Sequence, residues 1–148
     1  MSLFPVLLVI HIALAVALLL PSVALPFVLR RSGGPPGGLA RFLMAMQGTG
    51  TLFIGLGLAV TGAAMLWLLG PELLTQPWLL VALTIYAINL LVAGLISRPN
   101  LRRLAHIGSA GDDDAWRQRA RRQRWVAYGM AAAIGLIGFL MSTKPQLW

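Results

Sequence analysis

Apolar residues fall in four long runs, at about 3–28, 42–69, 78–97 and 124–143, separated by polar or turn-forming stretches. Each run reaches the roughly 20 residues that cross a hydrocarbon core of about 30 Å. The pattern predicts an all-α, polytopic membrane protein. Its four transmembrane helices form one antiparallel bundle, a single domain over residues 1–148, with connections at 29–41 and 98–123. The first run contains Pro21 and Pro26, which remove backbone donors and predict a kinked or partly unwound end. RRSGGPPGG then reads as a flexible linker. GPELLTQP is short, so the second and third helices are expected to be antiparallel neighbours. In the third connection RPNLRRLAHI is expected to lie at the headgroup level. The fourth helix is expected to start near Asp113, where acids meet the positive end of the helix dipole.

Composition agrees with this pattern. The chain is 58% hydrophobic and 11% charged, whereas a soluble domain carries about a quarter charged residues. A net charge of +8 would suggest nucleic acid in a soluble protein, but its placement says otherwise. Arg30, Arg31 and Arg41 flank the first connection. Arg98, Arg102, Arg103, Arg117, Arg119, Arg121, Arg122 and Arg124 flank the third, and Lys144 alone lies at the other end. Connections one and three share a side, which the positive-inside rule makes cytoplasmic, with both termini outside. The expected partners are therefore anionic lipid headgroups rather than nucleic acid. The membrane is expected to be the bacterial inner membrane, with the first run retained as a helix because no positive charge precedes it. Trp67, Trp78 and Trp148 fall at expected outer ends, and Trp116 and Trp125 at the inner side, as amphipathic indoles prefer.

Small residues Thr51, Gly55, Ala59 and Ala63 recur every four positions on the second helix, a spacing that serves packing within the bundle or a homodimer seam. On the third helix Tyr86, Asn89, Ala93 and Ser97 share a face, expected to point inward because an unpaired amide is costly in lipid.

Little in the inventory supports catalysis. There is no cysteine, and the acids Glu72, Asp112, Asp113 and Asp114 all lie in connections, so no carboxylate sits in a span to relay protons or bridge metals. No catalytic residue and no metal site is assigned. The exception to a bland interior is His11, within VLLVIHIALAV. It lies roughly 12 Å inside the outer boundary at 1.5 Å per residue, where an imidazolium would be costly, so it is expected to be neutral. Thr61, Tyr86 or Ser142, at similar depth, would satisfy it by hydrogen bonding. Met65 or Met141 would instead complete a His/Met axial pair around a haem iron. His106, in the basic connection, reads as a surface residue.

Three stretches carry a resemblance: His11 in VLLVIHIALAV, Trp78 in TQPWLLVAL and Lys144-Pro145 in MSTKPQLW. With the four spans they resemble an uncharacterised bacterial family of predicted integral membrane proteins. More distantly they are similar to HemJ-type protoporphyrinogen oxidase and to the CopD membrane domain. The HemJ resemblance implies a haem b protein with His11 as an axial ligand. The chain departs from it in lacking basic residues within the second and third spans. The CopD resemblance implies copper handling by soft ligands such as Met44, Met46, Met65, Met130 and Met141. Two functions therefore stand side by side. One is a non-enzymatic accessory or helix-packing subunit, in a homodimer or larger complex. The other is a haem b redox or haem-handling protein built on His11.

Because the chain has no cysteine, single cysteines report its orientation directly. Lys144→Cys is expected to react with an impermeant maleimide from outside intact spheroplasts, and Arg121→Cys only after permeabilisation. Equal reactivity of the two in intact cells would reverse the assignment of sides.

Overall fold

The computed structural model describes residues 3–31, 37–111 and 113–144. Six α-helices build four rods. The first rod is α1 (Leu3–Arg31). The second joins α2 (Gly38–Ala45) to α3 (Thr51–Leu69) through a π turn at Met46–Gly50. The third joins α4 (Pro77–Val92) to α5 (Arg98–Ala110) through a second π turn at Ala93–Ser97, and the fourth is α6 (Asp113–Thr143). All four rods are long and apolar enough to cross a membrane.

The breaks between rods follow from local chemistry. Gly70, at φ 103°, ends α3 in a conformation that side chains resist, and its N–H reaches Leu66 O at 2.9 Å. A 3₁₀ turn, Pro71–Thr75, follows, and Pro77 opens α4 at a position where no backbone donor is needed. Gly111, at φ 77°, reverses the chain between α5 and α6. Pro99 deprives the start of α5 of one N–H. The π turn immediately before it takes up the displaced carbonyl pattern without interrupting the rod.

Several boundaries differ from the sequence expectation. The second rod starts at Gly38 rather than 42. RPNLRRLAHI, expected as part of the third connection, is helical: it is α5, the continuation of the third rod, packed against α6. α1 stays helical through Pro21 and Pro26, both buried against neighbouring rods, and the Ser22 hydroxyl donates to Leu18 O at 3.4 Å in that turn. The start of α6 at Asp113 is as expected. Residues 32–36 of the linker, Pro145 and Trp148 lie outside the described residues.

The rods have 29 to 32 residues, hence lengths of about 43–48 Å. A rod of about 45 Å would fit a 30 Å core only when tilted by about 48°, beyond the usual range. The surplus therefore leaves the hydrocarbon, and the arginines place it at one end. There the rod ends close over a hydrophobic core of Leu25, Leu29, Leu43, Met44, Leu101, Leu104, Trp116 and Ala120. Trp116 is 2% exposed, so it is a core residue rather than an interfacial one. Trp67 (88% exposed) and Trp125 (71%) are exposed instead. Toward the other end a smaller layer, Leu18, Leu58 and Ile134, is buried. The apolar windows of the rods are otherwise only 6% to 22% buried, and their large side chains face outward, as lipid requires.

Packing runs in the order α3, α1, α6, α4. α3 and α4 meet over a short stretch, so the short connection makes them sequential without making them close neighbours. The contact they share is at Gly55, where a Cβ would stand 2.5 Å from Leu90 Cδ2 and where the Tyr86 hydroxyl donates to Gly55 O. The small-residue ladder is used in part: Thr51 and Gly55 are buried, whereas Ala59 and Ala63 are exposed. At the rim away from the arginines, Lys144 Nζ lies 5.9 Å from the Trp78 ring centroid.

Candidate functional site

The two π turns pack against each other. Around them the rods bring together Gln47 and Thr51 from the second rod, Ser97 and Asn100 from the third, and Gln123 from α6. All are at most 5% exposed. Gln123 is the centre. Its Nε2 donates to Ser97 Oγ at 2.9 Å, and its Oε1 accepts from Asn100 Nδ2 at 2.9 Å. Gln47 Nε2 points at Met130 Sδ, 3.9 Å away on α6, a weak acceptor. The Thr51 hydroxyl donates to Met46 O at 3.5 Å, inside the π turn.

The cluster is not saturated. Gln47 Oε1 and Asn100 Oδ1 are buried acceptors without a partner, and Arg98 Nε and Trp116 Nε1 are buried donors without one. Buried polar atoms of this kind are ordinarily met by internal water. The cluster is built of amides and hydroxyls, and its hydrogen bonds tie the third rod to α6.

Asn89, on α4, stands apart. It is 3% exposed and its Nδ2 has no partner. It lines a groove of about 350 Å³ between α4 and α6, whose other walls are Ile85, Ile88, Val92, Val126, Gly129, Met130 and Ala133.

The second candidate is His11. Its Nδ1 lies 2.7 Å from Thr61 Oγ1, and that hydroxyl donates back to its own helix, at 2.9 Å from Gly57 O and 3.1 Å from Leu58 O. The hydroxyl proton being committed there, the oxygen accepts and His11 Nδ1 donates. Nε2 therefore keeps its lone pair. Gly62 leaves room for the ring: a Cβ there would lie 3.4 Å from His11 Cε1. Of the three partners named from depth, Thr61 is the one engaged. Tyr86 bonds Gly55 O, and Ser142 bonds Gly138 O at 2.8 Å.

Met65 and Met141 relate to His11 through the buried layer. Leu18, Leu58 and Ile134 sit at one level. Seven residues outward along each of their helices stand His11, Met65 and Met141, two turns away and so on the same faces. Met65 is half-buried and Met141 is 36% exposed. The other methionines lie elsewhere: Met44 is in the core at the basic end and Met130 meets Gln47. Among the described residues no three His, Asp or Glu side chains gather as a metal site.

With this geometry in view, the comparison with known families is informative. The model of a family described as predicted integral membrane protein DUF2269 matches residues 5–145. The chain belongs to the DUF2269 family. No curated protein and no solved structure matches it, so the more distant similarity to HemJ and CopD gains nothing from the comparisons.

In this DUF2269 chain the sequence pattern had singled out His11, and the structure supplies its partner. The amide cluster was missed. Gln47 lies inside the second apolar run, where a polar side chain is itself a signal. Gln123 and Asn100 were hidden among arginines, where a charged stretch reads as a solvated face.

Replacing Gln123 with Leu is expected to destabilise the protein by about 1–3 kcal/mol, because Ser97 and Asn100 lose buried partners. A double-mutant cycle of Gln123→Leu with Asn100→Leu is expected to give a coupling of about 0.6–1.7 kcal/mol, read from reversible unfolding in mixed micelles. Additive losses would show that the pair is not coupled.

Proposed function

We propose that this protein is a non-enzymatic helix-packing subunit of the bacterial cytoplasmic membrane, with both termini outside. We further propose that it assembles with a second copy of itself across the α4–α6 groove. The observation that carries this reading is Asn89. An amide at mid-span with an unpaired Nδ2 lacks the partner that hydrocarbon demands. A second copy seated in the groove would supply the acceptor that Nδ2 lacks, and a twofold axis would repeat that contact in both copies. Gly129 and Ala133, four apart on the α6 wall of the same groove, let backbones approach closely. Under oxidation in native membranes, Gly129→Cys is expected to crosslink to itself, and adding Asn89→Leu is expected to abolish the crosslink. A wild-type chain that is monomeric by light scattering in mild detergent, with no crosslink at 129, would refute the reading.

A second reading, haem b ligation, is favoured by the His11–Thr61 hydrogen bond. Histidine ligands are characteristically held by a bond at the ring nitrogen that does not bind metal, and here Nδ1 is held while Nε2 is free. Met65 or Met141 would be the thioether that holds the iron together with His11. Haem would supply one-electron chemistry at that layer. Purified protein is then expected to show a Soret band that is lost in His11→Ala and shifted in Thr61→Val. Protein that stays colourless after haem supplementation would remove this reading.

A further inference from the structure

At the basic end, α5 and α6 form an open, shallow pocket of about 370 Å³ lined by the exposed Arg102, Arg103 and His106 and by Ile107 from α5, and by Arg119 from α6. We propose that this pocket binds the phosphate of an anionic phospholipid headgroup.

The inference starts from charge. Three arginines and a histidine from two helices line the pocket, and no acid lines it. Like charges held together raise each other's energy, and a fixed anion relieves that. Arg119 is only partly exposed and Arg98, one turn before Arg102 on the same rod, has a buried Nε without a partner. Guanidinium groups suit phosphate because their N–H donors form a planar fork that engages two oxygens at once.

Position distinguishes a lipid from a soluble anion. The third rod begins at Pro77, so about 20 residues, or roughly 30 Å, bring it to Ser97 and the end of the hydrocarbon. Arg102 and Arg103 lie another 7–9 Å or so further along, the level of the headgroup phosphates. The residues just below are exposed and apolar: Leu95 is 73% exposed and Ile96 40% on the third rod, and Trp125 is 71% exposed on α6. Ile107 adds an apolar wall to the pocket itself. A ligand with a phosphate head and acyl chains running back along the rods meets both kinds of surface. The proposal is independent of the α4–α6 groove and of His11, and stands whatever becomes of either.

The test uses the full chain in nanodiscs containing phosphatidylglycerol and phosphatidylcholine in equal amounts. Lipids that stay bound on ejection into a native mass spectrometer are then counted. The wild-type chain is expected to retain phosphatidylglycerol preferentially. Because losing charge-assisted hydrogen bonds to a seated phosphate costs about tenfold or more, the Arg102→Gln/Arg103→Gln/Arg119→Gln triple variant is expected to lose at least about tenfold of that preference. Arg121→Gln/Arg122→Gln removes comparable charge from exposed positions that do not line the pocket and is expected to keep it. The single variant Arg119→Gln, with an intermediate loss expected, serves if the triple variant fails to fold by circular dichroism. An unchanged preference in Arg119→Gln and in the triple variant overturns the proposal, and so does an equal loss in the Arg121/Arg122 control. Inorganic phosphate provides the other arm. If it stabilises the chain in phosphatidylcholine alone, and only when Arg119 is present, the pocket serves a soluble anion and the lipid assignment fails.

Discussion

A helix in lipid can bury apolar side chains anywhere at little gain, because the surroundings are as apolar as they are. What it cannot do cheaply is leave a polar group without a partner. The Ser97–Gln123–Asn100 chain of hydrogen bonds meets that demand across two rods, and the remainder of the basic end is arranged around it. α6 must present Gln123 between the π turn at Ala93–Ser97 and the first turn of α5. That fixes the rotation of α6, and with it the approach of Trp116 to Leu25, Leu29 and Leu104. The π turns belong to the same requirement. Each widens the helix by one residue where Gln47 or Ser97 turns inward, and Pro99 follows shortly after one of them.

The two ends of the molecule are consequently different materials. At the arginine-rich end, rods that have left the hydrocarbon close over a core of the kind soluble proteins build, with leucines and a tryptophan excluded from water. Toward the other rim the rods share fewer side chains, α3 and α4 separate, and the half-buried layer of His11, Met65 and Met141 lies between helices that are not fully closed. The larger buried cluster lies at the arginine-rich end and the smaller one toward the other rim.

Much of this was legible in the residues. Run length and charge placement specify four rods and the end at which the arginines gather. The start of α6 followed from its aspartates. The second and third rods proved longer than their apolar runs because helix continues wherever backbone bonds are satisfied, whether or not the side chains are greasy; α5 is the clear case. Prolines 21 and 26 predicted a kinked or partly unwound end, and α1 is helical through both, each of them buried. Trp116 was assigned to the interface because its sequence neighbours are charged, yet only one face of a helix decides burial. His11 was visible as a lone imidazole, and its partner narrowed to three by depth. The choice of Thr61 rested on the rotation of α3, which no single apolar run encodes. The cluster around Gln123 depends on contacts 23 to 83 residues apart in the chain, and nothing local announces them.

The surplus length of the rods has a mechanical consequence. Since the extra turns carry arginines, a thicker bilayer cannot engulf them without stripping water from guanidinium groups. The molecule is thus moored to one leaflet, and any variation in lipid thickness is absorbed at the far rim. There, among the described residues, the short 3₁₀ turn with Glu72 and the Lys144–Trp78 contact carry far less charge, so a change of level costs less than at the moored end.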